Sequence, residues 1–462
     1  MLNVQTDSRK IKKGDIFVAV KCEVNDGHAY VEKAIENGAS KVVVEHGNYS
    51  ALTEVVPDTR EYLKKYLKEN YDQYINEMTL IGITGTNGKT TSAYLLYQAL
   101  NLLGIKTGYI GTIGFFLDKR ECLLPNTSVD LCDTYDLLMK AYDKGYKTVV
   151  LETSSHALYN KRLELLSFNY GVFTNLTQDH LDYHKTMENY AKAKEILFTM
   201  LKPNGKAIIN IDDPNYERFA LKENKNIFYG INHGDVKIID YAMNHNGTQL
   251  TYQYQNKDYK LRTHLVGKYN LYNLLVCLTI LLDMNIDKDE IASIFPKLKC
   301  PSGRMDRVSF GEKNIIIDYA HTPDAITKII TTVKEFTKGD IYTVFGCTGD
   351  RDRTKRPIMM DIVTQNTKYA IVTNDDPHYE DPNQIVDDML KGIQKTNYEI
   401  CLDRKKAIEK GIALLHDGDA LLILGKGHEE FMIIKDKKIP FHDKNVVLEY
   451  LEKNNLCQNF QK

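Results

Sequence analysis

Tryptophan is absent from this chain of 462 residues, and proline is scarce at 11. No C-x-x-C pair occurs. The eight cysteines, Cys22, Cys122, Cys132, Cys277, Cys300, Cys347, Cys401 and Cys457, are scattered. That spacing argues against a zinc ribbon and gives no disulfide framework, so a reducing compartment and a cytoplasmic location are expected. Long apolar runs are missing too: stretches such as 421–424 fall far short of the roughly 20 residues that cross a bilayer. The first seven residues hold no apolar signal core, so no membrane insertion is expected. Charge of one sign is also lacking. Lys plus Arg total 60 against 62 for Asp plus Glu, a net −2, which leaves no electrostatic footprint for nucleic acid. Repeats and low-complexity stretches are absent as well.

What remains is ordinary globular composition, 43% hydrophobic and 26% charged. The length suggests about three domains. Short β-branched runs alternate with helical patterns, the signature of α/β units with largely parallel sheets. Residues 1–77 read as a small unit with strands at 15–20 and 41–45, a helix over 30–37, and a charged helix over 60–76. Residues 78–299 form a central block. Its strands are at 80–84, 148–151, 171–174 and 207–210, and Ala93, Leu96, Leu100 and Leu103 mark a helix. Residues 300–462 form a third, Rossmann-like unit with strands at 315–318, 342–345, 370–373 and 420–424.

The most informative stretch is Leu80-Ile81-Gly82-Ile83-Thr84-Gly85-Thr86-Asn87-Gly88-Lys89-Thr90-Thr91. A buried strand enters a glycine-bearing turn that opens a helix, and the backbone N–H groups of such a turn cradle phosphates. Lys89 faces the β- and γ-phosphates in this reading, and the Thr90 hydroxyl suits Mg²⁺. The first glycine of the standard pattern is replaced by Ile83, so the motif is the shorter G-x-x-G-K-T-T. Taken alone, it could be a plain strand-to-helix turn. The strand before it and helix after it favour nucleotide binding.

Glu152 ends one strand, and His180 lies a few residues beyond another. In an open α/β sheet, ligands gather at the strand carboxyl ends, so both fall on the edge that holds Thr90. A carboxylate and an imidazole there can hold a divalent ion beside a triphosphate. A lone histidine is more often a surface or capping residue, and the solvated lysines of 190–198 read as an ordinary amphipathic helix. In the third unit, Gly346-Cys347-Thr348-Gly349-Asp350-Arg351-Asp352-Arg353-Thr354-Lys355-Arg356 follows a strand and suits a carboxylate or phosphate clamp as well as it suits a solvated loop. Gly425-Lys426-Gly427-His428-Glu429 allows close backbone approach to a ligand.

In this order along the chain, the motifs resemble the Mur ligase family of peptidoglycan synthesis. The resemblance is to the branch that adds the third amino acid to UDP-N-acetylmuramoyl-L-Ala-D-Glu. It is carried by Asp7-Ser8-Arg9-Lys10 and Asp26-Gly27-His28; by Gly85 to Thr91; by Asp179-His180-Leu181-Asp182; by Gly267-Lys268-Tyr269-Asn270-Leu271-Tyr272-Asn273; by Gly303-Arg304-Met305; by Asp318-Tyr319-Ala320-His321; and by Gly425 to Glu429. It implies an ATP-dependent, amide-forming ligase that acts as a monomer with Mg²⁺. Lys89, Glu152, His180, Lys194 and His321 are then catalytic. Thr90, Glu152, His180 and a CO₂-derived carbamate on Lys194 hold the metal. Asn270, Asn273, Arg304, Asp318 and the phosphate loop bind ATP. Ser8, Asn126, Thr127, Ser128, Ser155 and Arg162 hold the nucleotide-peptide, and Arg351, Asp375, Asp376, His378, Gly425 and Glu429 surround a diamino acid.

Relatives that use meso-diaminopimelate usually carry Asp-Asn-Pro-Arg in the third domain. Here the stretch reads Asp375-Asp376-Pro377-His378, with Glu380 and Asp381 close by. A missing guanidinium amid acidic residues leads to the expectation of L-lysine over meso-diaminopimelate. Three rivals remain: another Mur ligase; a folylpolyglutamate synthase-like ligase, disfavoured by the first 77 residues; and a non-catalytic P-loop regulatory protein, which has no need of Lys194.

Overall fold

A computed structural model describes residues 2–21, 26–223, 225–244 and 247–456; Cys22, Cys457 and the side chain of Asp182 lie outside the described residues. The chain forms two compact units. One comprises Met1–Ile239, Tyr252–Tyr259 and Tyr272–Ile294; the other comprises Asp240–Thr251, Lys260–Leu271 and Phe295–Lys462.

The first unit begins with a parallel four-stranded sheet in the order Val4–Gln5, Ile16–Val18, Lys41–Val44, Leu52–Val55. Side chains alternate across a strand, so Val42 and Val44 pack on Ala34 and Val31 of one helix while Val43 faces the other way. That second face is covered by the helix Thr59–Asn76, whose Leu63, Leu67, Tyr71 and Ile75 recur at helical spacing. Asp58 caps this helix by accepting from the N–H groups of Arg60 and Glu61.

The central sheet is built outward from the strand Thr79–Thr84. Phe168–Phe173 and Thr148–Glu152 flank it, both parallel, with Leu201–Asn210 and Thr107–Gly111 next. Register pairs Ile83 with Glu152 and Thr84 with Phe173, so the loops leaving these three strands share one edge. Gly82 matters here. A Cβ at that position would come within 2.7 Å of Leu197, so its absence lets the helix Met187–Thr199 lie close over the strand.

The second unit contains a six-stranded sheet in the order Asp306–Phe310, Lys313–Asp318, Ala420–Leu424, Ile341–Phe345, Tyr369–Val372, Tyr398–Ile400. The first pair is antiparallel and the rest are parallel. Register sets Asp318 beside Leu424, which brings the loops that follow them to one edge.

Several strands stand where none was expected, among them Leu52–Val55, Thr107–Gly111, Asn226–Ile231, Asp306–Phe310 and Tyr398–Ile400, and two further regions show why. Strands Val236–Asn244, Gly247–Tyr254 and Lys257–Thr263 occupy a stretch where none was expected. Their faces are interrupted by polar residues, and the turn between the last two uses Gln255 and Asn256 at φ 50 and 59, without a glycine to announce it. The antiparallel hairpin of Phe431–Ile434 and Lys437–Pro440 was likewise unannounced.

Candidate functional site

The phosphate loop is held in shape by the segment that follows the strand Phe168–Phe173. Thr86 N–H donates to Asn175 O (2.8 Å), Asn87 N–H to Asn175 Oδ1 (2.9 Å) and Thr86 Oγ1 to Thr177 O (3.1 Å). Gly85 sits at φ 144, where a Cβ would collide with Thr174 Oγ1, and Gly88 at φ 85, where it would lie 2.6 Å from Asn273 Oδ1. Gly88 caps the helix Lys89–Leu102, and Ser92 Oγ donates to Asn273 Oδ1 at 3.0 Å. Two of the expected nucleotide residues, Gly88 and Asn273, therefore meet in one place. The Lys89 ammonium folds back onto the carbonyls of Gly85 and Thr86, both at 2.8 Å. Carbonyls are weak partners for a cation compared with phosphate.

Glu152 is buried. It accepts from the Tyr109 hydroxyl, Thr112 N–H (2.9 Å), Thr90 Oγ1 (2.8 Å) and Thr112 Oγ1 (3.1 Å). Thr127 meets Thr112 at 3.1 Å, and Ser128 Oγ donates to Glu152 O at 2.8 Å. Arg162 pairs with Asp130 at 3.0 Å and reaches Ser128 O at 3.4 Å, so it braces this loop; Asn126 lies exposed beside it. These oxygen donors form a set that suits a hard cation such as Mg²⁺.

His180 is the half-exposed N-cap of a short turn at φ 52, beside Asp179 (3.5 Å) and packed on His156 with ring centroids 4.7 Å apart. Its described contacts are with Asp179, His156 and Tyr190, not with Glu152. Ser155, expected to hold substrate, is buried, and its Oγ lies 3.0 Å from His184 Nε2. Ser8 is buried as well, and its carbonyl accepts from Asn37 Nδ2 at 2.9 Å.

Lys194 is 1% exposed. Its Nζ lies 2.8 Å from Gly85 O and 4.2 Å from the Tyr190 ring centre. Burial, aided by the charge of Lys89 and opposed by Asp179, pushes this ammonium well below its usual pKa. Lys194 and Lys89 thus share one carbonyl.

In the second unit, Asp318 accepts from Met305 N–H and Ala320 N–H, both at 2.8 Å; burial raises its pKa although Arg304 opposes this. The Arg304 guanidinium lies 4.8 Å from the Tyr319 ring centre. His321 Nδ1 is 2.8 Å from Tyr319 O; a carbonyl only accepts, so that nitrogen carries the proton. Asn270 is buried and donates to Val266 O at 2.8 Å. Asp375, Asp376 and Glu429 gather around Lys426, while Gly425 at φ 109 leaves room for Asp375 that a Cβ would take. His378 sits at φ 48, its N–H donating to Ile433 O at 3.2 Å.

The electrostatic premise for lysine selection needs correcting. Asp376 is neutralised by Lys426 at 2.8 Å, Glu380 by Arg356 (2.9 Å) and Arg353 (3.0 Å), and Asp381 caps a helix. Asp376 and Glu380 are thus paired rather than bare, while Asp375 has only a longer contact to Lys426 at 3.9 Å. Arg351 is exposed and forms no ion pair among the described residues. Lys426 and the Arg404–Asp443 pair beside it (2.7 Å) were missed as site residues because their partners lie far away in sequence.

A phosphate-cradling loop at the edge of a parallel sheet, with a buried carboxylate and lysine beside it, defines an ATP-using enzyme. Residues 2–76 match the Mur ligase family catalytic domain, 83–281 the Mur ligase middle domain and 303–427 the Mur ligase glutamate ligase domain. Over 97% of its length, the chain is 39% identical to the UDP-N-acetylmuramoyl-L-alanyl-D-glutamate–2,6-diaminopimelate ligase of Clostridium tetani, covering 94% of that protein. It is 40% identical to the ligase of the same name from Aquifex aeolicus, again over 97% of the chain and covering 93% of that protein. A solved structure of such a ligase aligns with TM-score 0.70 at 31% identity, covering 98% of this chain and 95% of the other. The chain belongs to the Mur ligase family. It is an ATP-dependent, amide-bond-forming ligase. No helix among the described residues is long and apolar enough to cross a membrane.

Proposed function

We propose that this enzyme joins a diamino acid, as third residue, to UDP-N-acetylmuramoyl-L-alanyl-D-glutamate in the making of peptidoglycan precursors. Similarity along nearly the whole chain to ligases of that name carries the reading. Residues 1–77 serve the uridine nucleotide, 78–299 ATP and 300–462 the amino acid.

A carboxylate is a poor electrophile toward an amine in water. The γ-carboxylate of D-Glu therefore takes the γ-phosphoryl group of ATP, giving an acyl phosphate and ADP. The α-amine of the incoming amino acid then attacks the acyl carbon, phosphate leaves and the amine loses its proton. Two anions meet in the first step, so the cations Lys89 and Arg304 and the backbone N–H groups of residues 85–91 are assigned to hold and neutralise phosphate. Thr90 and Glu152 supply oxygens that fit Mg²⁺, with His180 as a further ligand; the ion would screen phosphate charge.

Lys194 fits carbamylation. A neutral amine adds its lone pair to CO₂ and releases one proton, and burial without an ion pair among the described residues favours the neutral form of Lys194. The product is an anion that adds oxygens to the metal set. Ser8, Asn126, Thr127, Ser128, Ser155 and Arg162 line the nucleotide-peptide; Ser155 acts through its bond to His184. Asn270, Asn273 and Asp318 face the adenosine, and His321 a reacting or phosphate oxygen. Arg351, Asp375, Asp376, His378, Gly425 and Glu429 surround the amino acid.

For the amino acid itself, the pairing of Asp376 and Glu380 weakens the acidic-pocket argument for L-lysine and leaves the missing guanidinium at His378. The relatives' names favour meso-diaminopimelate, and the unpaired Arg351 offers a guanidinium for a second carboxylate. The test is an amino-acid panel with ATP and the UDP-MurNAc-dipeptide. ADP release that requires both the dipeptide and a diamino acid supports the ligase reading; ADP release indifferent to them sinks it. The ratio of kcat/KM for the two diamino acids settles the choice.

A further inference from the structure

Lys426 is fully buried among three carboxylates: Asp376 Oδ1 at 2.8 Å, Glu429 Oε2 at 2.9 Å and Asp375 Oδ1 at 3.9 Å. Burial pulls its pKa down, but Asp375, Glu429 and Asp376 outweigh that and hold it protonated. A second buried cation, Arg404, is bonded mainly elsewhere. Arg404 pairs with Asp443 through two bonds of 2.7 Å and donates to Leu424 O and Asn374 O. Arg404 therefore acts on Asp375 only through its charge, and Lys426 is the cation that bonds directly to Asp376 and Glu429.

Their roles differ. Asp376 is anchored through one oxygen, since its Oδ1 accepts both from Lys426 and from Ile433 N–H at 2.8 Å, which ties the hairpin of residues 431–440 to the loop. Glu429 is one-third exposed and anchored by Lys426. Asp375 is only 3% exposed, yet its carboxylate has no hydrogen bond among the described residues. A buried carboxylate without a donor is costly, and a ligand N–H is the natural complement.

We propose that Lys426 is a positioning residue for the incoming amino acid: its ammonium fixes Asp376 and Glu429 in place and leaves Asp375 as the open acceptor. The proposal rests on the reading that these carboxylates surround the amino acid. Lys426 does not touch substrate; it sets the shape and charge of what does. Without it, two carboxylates held by one ammonium repel, one takes up a proton or swings away, and the pocket loses its arrangement.

The test is Lys426→Met in the full-length enzyme, with KM measured for each substrate. The amino-acid KM is expected to rise about tenfold or more while the KM values for ATP and the nucleotide-peptide stay within about twofold. Adding Asp376→Asn, which removes the uncompensated charge, is expected to recover part of that loss, a coupling that a general loosening of the fold does not produce. Should Lys426→Met not fold, Asp376→Asn alone serves: it keeps an oxygen for Lys426 and Ile433, and an amino-acid KM raised about threefold supports the proposal. An amino-acid KM unchanged in a folded variant overturns it. A fall also overturns it, since Lys426 would then be competing with substrate. Wild-type enzyme in the same assay separates the two levels: if it forms no amide with any diamino acid, the functional reading fails rather than this one.

Discussion

Two lysines are buried to nearly the same degree, and their surroundings push them in opposite directions. Lys194 in the first unit meets a carbonyl and an aromatic ring, without an ion pair among the described residues; burial there pushes its pKa well down. Lys426 in the second unit meets three carboxylates, and burial there is overcome. Burial alone therefore does not decide what a lysine does. A neutral lysine is a nucleophile toward CO₂, whereas a charged one organises anions.

Two variants probe the first half of that comparison. Lys89→Ala should lower ATP turnover by about 10³-fold or more, since one positioned cation at the phosphates is lost. Its circular dichroism should match wild type, because the ammonium bonds carbonyls of its own loop, Gly85 O and Thr86 O. Near-normal turnover would sink the phosphate-loop assignment. Lys194→Ala should cost about 10²-fold, recoverable in part by short-chain carboxylic acids that return oxygens to the metal set. Intact-mass analysis of wild-type enzyme under bicarbonate should show the added CO₂. An unmodified lysine in fully active enzyme would show that its lowered pKa serves another purpose.

For the second half, His378→Arg tests selection between diamino acids. The variant places a guanidinium where diaminopimelate ligases of this type usually carry one. If Arg351 already grips the distal carboxylate, kcat/KM for meso-diaminopimelate should change by no more than about threefold in His378→Arg and fall by about tenfold or more in Arg351→Ala. The reverse pattern would return the specificity to position 378.

Much of the scaffold was legible in the sequence. The strand at 420–424 stands where it was expected, and the one expected at 148–151 runs one residue further, to Glu152. Apolar β-branched runs between helices are strong signals when both sheet faces are covered. The hairpin of 431–440 was not legible, because half of it is lysine-rich and exposed. Within the site, residue types and spacing pointed to the phosphate loop and Glu152. They did not reveal that Ser155 is bound to His184, or that the carboxylate of Asp376 is answered by a lysine 50 residues away. A contact between side chains distant in sequence leaves no local pattern, so charge read along the chain overstated the acidity of this stretch.

Asp375 gives the finest test of the contrast between paired and unpaired groups. Burial lifts its pKa from 3.8 to about 7, against the pull of Arg404 and Lys426 and with the push of Asp376 and Glu429. The folded protein thus keeps this proton while the unfolded chain releases it near the ordinary value. Where the folded state binds the extra proton, stability falls as pH rises. The wild-type enzyme should lose stability relative to Asp375→Asn between about pH 4 and about pH 7, by on the order of a few kcal/mol, and the gap should then level off. Denaturant midpoints of both proteins at pH 5, 6, 7 and 8 would display it. A gap that stays constant across that range would mean that burial does not lift this carboxyl in the folded protein.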